Sequence, residues 1–102
     1  MPHIKPEERI ELDDSIDELV QIIKKTNTTA FKNDDVYVQR EIDGRVNYAI
    51  SKILDKLYAR RGYHEYNRAI GTLEDVKMEF YRLRVAPYED KKIKVNGSAY
   101  DE

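Results

Sequence analysis

The chain has no cysteine and no tryptophan, only three prolines and four glycines, and no run of apolar residues long enough to cross a bilayer. Each absence excludes something. Without cysteine there is no structural disulfide, no thiolate zinc site and no cysteine nucleophile. That composition fits a reducing compartment, and a cytoplasmic protein is the expectation. A membrane helix needs about 18 or more consecutive apolar residues, and none occur, so no membrane association is expected. The opening "MPHIKPEERI" lacks the apolar stretch of a secretory signal. Gly44, Gly62, Gly71 and Gly97 are scattered, so no glycine-rich phosphate loop exists. His3 and His64 stand alone without metal-ligand spacing, and Ser15, Ser51 and Ser98 have no elbow motif or base partner. A dominant charge is missing too. Net charge is −2 and the pI is about 5.7, so no global field recruits nucleic acid or anionic lipid.

What is present is charge of both signs and helical periodicity. Charged residues make up 37% of 102 residues, a length that supports a single domain with one modest core. In "DDSIDELVQIIKKT" Leu12, Ile16, Leu19, Val20 and Ile23 form a helical stripe, which predicts a first helix over about 13–26 capped by Asp13 or Asp14. In "DGRVNYAISKILDKLYARRG" Val46, Ala49, Ile50, Ile53, Leu54 and Leu57 form an apolar face. This predicts a second helix over about 45–61, with Asp43 as cap and Gly62 past its end. A third helix is expected over about 64–85, carrying Tyr66, Ala69, Ile70, Leu73, Val76, Phe80 and Leu83. Pro87 biases Ala86 away from helical geometry and should end it. The stretch "PYEDKKIKVNG" then reads as a short C-terminal helix, about 87–96, with acids first and lysines last as the helix dipole favours. Residues 98–102 read as a tail.

Residues 27–44 are the least legible part. Val36, Val38 and Ile42 alternate weakly, which suits a strand arm, an irregular loop, an insertion or a helical turn. A lone strand would have no partner within the chain, so a loop is favoured. The fold class expected is all-α: three amphipathic helices plus a short one, as a helical bundle with helices two and three antiparallel neighbours. Gly71, mid-helix, costs about 1 kcal/mol relative to Ala, which close packing against another backbone would justify.

The third helix carries a polar line within its apolar arc: Glu74, Lys77, Tyr81 and Arg84, joined by Tyr88 beyond the proline. The plainer explanation is a rim, where lysine and arginine stems cover apolar neighbours and their heads reach water. The functional explanation is a partly enclosed polar corner or a seam between subunits. Asp75 and Glu79, at i and i+4, could hold Mg²⁺ together with Glu89 or Asp90, as in a small Mg²⁺-dependent nucleotide hydrolase. Against this, a solvated acidic pair screened by Arg82 explains the same residues. "YARRGY" and "YRLR" interleave aromatics with Arg60, Arg61, Arg82 and Arg84, a composition that can stack bases and hold phosphates. Cations at helix ends account for these arginines equally well.

The segments "VNYAISKIL", "YNRAIGTLEDVKMEFYR" and "APYEDKKIKVNG" resemble a family of short proteins from bacteriophages, prophages and bacteria, with no established function. That family's pattern runs L-N-Y-x-I-x-x-L-L, then G-x-L-E-x-x-K-x-E-F-Y-R-R, then P-Y-E-x-x-K-x-x-x-N-G. The likeness covers residues 43–100 well and residues 1–25 loosely. Leu83 departs from the pattern where a second arginine is usual, Ser98 and Ala99 replace an acidic and an aliphatic residue, and 27–43 looks inserted. Positions where the resemblance implies a recurrent polar residue fall on Asn47, Tyr48, Asn67, Glu74, Lys77, Glu79, Tyr81, Arg82, Tyr88, Glu89 and Lys92. The expectation is a small accessory protein that acts by protein–protein interaction as a homodimer, with no cofactor and more plausibly not an enzyme. Its candidate binding corner is Glu74, Lys77, Tyr81, Arg84 and Tyr88. Asn47, Asn67, Arg82, Glu89 and Lys92 are secondary candidates.

Overall fold

The computed structural model describes residues 4–25, 36–59 and 62–100, and is all-α, with no strand among them. Helix α1 spans Pro6–Lys24, α2 spans Val36–Tyr58 and α3 spans Tyr63–Phe80. A five-residue π-helical segment, Tyr81–Val85, joins α3 to α4, Ala86–Asn96. The third helix and the short C-terminal helix are therefore both present, but as one continuous rod of three pieces. The chain divides into two units, Met1–Leu57 and Tyr58–Glu102.

In the first unit, α1 begins earlier than its hydrophobic stripe. Pro6 sits in the first turn and Glu7 and Glu8 follow, while Lys5 before them is extended (ψ 152°). Proline has no N–H to lose there, and the two carboxylates meet the positive end of the helix. Asp13 and Asp14 are thus interior residues rather than caps. Helix α2 also starts early, at Val36. The expected loop over 27–44 is corrected from Val36 onward; its remainder, like Arg60 and Arg61, lies outside the described residues. The alternation of Val36, Val38 and Ile42 that suggested a strand hides a second periodicity. Val38, Ile42, Arg45 and Ala49 recur at i, i+4, i+7 and i+11, a helical stripe. Val38 is 3% exposed, and Ile42, Arg45 and Ala49 are half-buried. Asp43 lies inside α2 and caps nothing.

Arg45 ties the two helices of this unit together. Its Nη1 donates to the carbonyl of Ile22 at 2.9 Å, more loosely to that of Ile23 at 3.5 Å, and to that of Lys25. The last carbonyls of a helix have no intrahelical partner, so a guanidinium from a neighbouring helix satisfies them and meets the negative end of the dipole.

In the second unit, α3 is preceded by Gly62, whose φ of 103° and ψ of −172° lie in a region open essentially to glycine alone. Its carbonyl accepts the N–H of Tyr66 at 3.1 Å. Gly97 (φ 82°) ends α4, donating to the Ile93 carbonyl at 2.8 Å, as Asn96-Gly97 suggested. In the tail, Ser98 Oγ accepts the Tyr100 N–H at 3.0 Å. Among the described residues Gly71 has no neighbour within 4 Å of where a Cβ would sit, so none of them provides the expected close packing.

Candidate functional site

The polar corner forms around the π segment, and Pro87 explains why the segment exists. In an uninterrupted α-helix the Leu83 carbonyl would accept the N–H of residue 87. Proline has no N–H, and its ring collides with that carbonyl. The chain responds by widening one turn. The Ala86 N–H reaches back to the Tyr81 carbonyl, five residues away, and the Tyr81 N–H is shared between the Lys77 and Met78 carbonyls. The Leu83 carbonyl takes its hydrogen bond from Arg84 Nη1 at 3.2 Å. Arg84 thus has a local structural duty. The helix also has no free start at residue 86, so the dipole argument for placing Glu89 and Asp90 after the proline loses its basis.

The corner residues lie along an exposed flank. Lys77 Nζ is 3.7 Å from Glu74 Oε1, with the side chains 76% and 57% exposed, a pairing that contributes a few tenths of a kcal/mol. Tyr81 and Tyr88 are more than half exposed. Lys92 Nζ sits 5.6 Å from the centre of the Tyr88 ring. No charge here is enclosed, which fits the rim explanation. Glu74, Lys77 and Tyr81 share an open hollow with Phe80 of the apolar stripe and with two apolar residues that sequence reasoning did not single out, Met78 and Val85.

Among the secondary candidates, Arg82 is committed to Glu79, with Nη2 3.0 and 3.2 Å from its two carboxylate oxygens. That contact engages Glu79, one of the two carboxylates of the Mg²⁺ reading. Among the described residues no group of three or more acidic or histidine side chains converges as a metal site would require. Asn47 lies on α2, far along the sequence from the corner, with its Oδ1 3.5 Å from Ser51 Oγ. Asn67 and Glu89 are exposed on α3 and α4. Arg68 holds Glu65 at 2.5 Å and lies 5.7 Å from the centre of the Tyr58 ring, a contact the sequence stripe did not flag. Among the described residues no helix is long and apolar enough to cross a membrane.

The more telling feature is how little is buried. Among the described residues only Val38 and Ala69 are buried, whereas 24 large apolar or aromatic side chains are exposed. They include Ile10, Leu12, Ile16 and Ile22 on α1, Ile53 and Leu57 on α2, and Ile70, Val76, Phe80 and Leu83 on the third rod. The stripes expected to meet in a core are formed, but each is largely open to solvent.

Over residues 1–99 the sequence matches the family model Domain of unknown function (DUF6899). The chain belongs to this family. No curated protein and no solved structure matches it. Membership spans almost the whole chain, so the first unit, which the resemblance covered only loosely, is as much part of the family as residues 43–100. It adds no activity, and the functional argument rests on the surfaces just described.

Proposed function

We propose that this protein acts by binding, as a small helical accessory protein that self-associates through its apolar helix faces. One observation carries the reading: amphipathic stripes on all the long helices remain exposed, with two buried residues among those described. Burying apolar surface contributes about 25 cal/mol per Å², and monomeric proteins rarely leave contiguous apolar stripes of this extent in water. The likeness of residues 43–100 to phage and prophage proteins supports an accessory role inside a bacterial host. The arginine surface offers no comparable support for nucleic acid, since Arg82 and Arg84 are engaged within their own helix.

Sedimentation velocity from 1 to 100 µM tests the reading. A reversible monomer–dimer equilibrium in that range is the expected result. A strictly monomeric species throughout, with full helical circular dichroism, would remove self-association.

A further inference from the structure

Counting along the rod of residues 63–96 shows an order that the proline conceals. Tyr66, Leu73 and Phe80 are seven apart, as are Tyr88 and Val95. The step from Phe80 to Tyr88 is eight, and the extra residue falls where the backbone takes a π turn. A second row, Ala69, Val76 and Leu83, keeps the same spacing three residues later. These are the two apolar rows of a heptad seam, and a sustained seven-residue repeat is the signature of helices winding around one another. A π turn holds about one residue more than an α turn, so it absorbs the skipped residue and keeps Tyr88 and Val95 on the stripe of Phe80. Apart from Ala69 and the half-buried Leu73, the seam is open: Phe80 is 63% exposed, Tyr88 57% and Val95 80%.

We infer that this seam pairs with the same seam of a second copy, in parallel and in register; the inference rests on the self-association proposed above. Charge decides the direction. The residues flanking the seam on one side are Ile70, Lys77, Arg84 and Lys92, and on the other Glu65, Thr72, Glu79, Pro87 and Lys94. In a parallel pair each flank faces the opposite flank of its partner, offset by five residues. Glu79 then meets Arg84 of the second copy, twice by symmetry, in competition with their own contacts to Arg82 and the Leu83 carbonyl, and no like charges are opposed on the flanks; within the seam the second row runs on to Lys91, which faces its own copy. An antiparallel pair sets each flank against itself. Lys77 would face Lys77 and Glu79 would face Glu79, which is unfavourable because the 8–10 Å spacing of packed helices is comparable to the Debye length of about 8–10 Å. A parallel register also places the two π segments at one height, so both seams change phase together. At roughly 100 Å² for each open seam side chain, six of them bury about 600 Å² per copy, and the stems of Lys77 and Lys92 extend this toward the ~800 Å² of a stable interface.

The chain has no cysteine, so one introduced thiol reports on geometry alone. Val95→Cys brings two thiols side by side in the parallel pair, and mild oxidation is expected to convert most of the protein to a covalent dimer. In an antiparallel pair centred near residue 78 the same thiols lie about 50 Å apart and cannot bridge. Asp90→Cys, facing outward, is the control and should cross-link at least tenfold more slowly. A dimer by sedimentation whose Val95→Cys form does not cross-link, or cross-links no faster than Asp90→Cys, overturns the parallel seam and leaves self-association standing. A monomer overturns both. Phe80→Glu gives an independent reading: a carboxylate pair in the centre of the seam is expected to weaken association at least tenfold, and an unchanged equilibrium would count against the proposal.

Discussion

Replacing Pro87 by alanine tests the account of the π segment directly. The native turn lacks one N–H, and Leu83 borrows a donor from Arg84 at 3.2 Å. Alanine supplies the missing N–H and removes the ring that collides with that carbonyl. A net backbone hydrogen bond contributes about 0.5–1.5 kcal/mol. The full helix-interior cost of proline is about 3 kcal/mol, but most of it is already relieved here by the widened turn. Proline also restricts the unfolded chain, an advantage of about 0.4–1 kcal/mol that alanine forfeits. The balance is a gain of about 0.5 kcal/mol, at most about 1, or a rise in Tm of about 2–4 °C for a chain of this size. Urea unfolding followed by circular dichroism reads it. The second arm is a double-mutant cycle with Arg84→Met. Once alanine provides the N–H, the loss of Arg84 should matter less, with a coupling of about 0.5 kcal/mol or more. A destabilisation of 1 kcal/mol on Pro87→Ala, or strict additivity with Arg84→Met, would refute the explanation.

Other substitutions follow from the same geometry. Arg45→Met keeps the apolar stem but strips the donors from the end of α1, so a loss of about 1–2 kcal/mol is expected, with faster amide exchange confined to the last turns of α1 and to α2 around residue 45. A loss below 0.3 kcal/mol would show that those bonds are not held in solution. Gly71→Ala meets open space and should stabilise the chain by up to about 1 kcal/mol; if it weakens association instead, a second backbone approaches that turn. Gly62→Ala forces a side chain into a glycine-only backbone region and should cost about 1–3 kcal/mol by the same unfolding assay, whereas an unchanged Tm would mean that the turn can reorganise.

The helices were legible because apolar residues recur at helical spacing, and their ends were less so for separate reasons. Pro6, Glu7 and Glu8 start α1 ahead of its stripe, through backbone and dipole effects that hydropathy does not register. The start of α2 was hidden because Val36, Val38 and Ile42 satisfy period two while Val38, Ile42, Arg45 and Ala49 satisfy the helical period, and a short window does not separate them. Pro87 read as a stop because proline usually is one; a π turn that absorbs it leaves no mark in composition. The residues of the polar line are helical as expected, but exposure of Glu74 and Lys77 depends on what lies across from them, which periodicity does not report. Arg45 was not singled out because its partners are backbone carbonyls, which carry no sequence signature.

The grip of Arg45 on the end of α1 has a consequence for how the chain can be changed. Lys25 and Arg45 are 20 residues apart, and the Arg45 side chain joins them directly. Closing a longer loop is inexpensive, about 0.6 kcal/mol for each doubling of length. Extra residues between 26 and 35 should leave both helices where they are, which makes that stretch the natural place to graft a fluorescent domain or an affinity peptide. The same clasp would let related chains drift in length there while α1 and α2 stay paired.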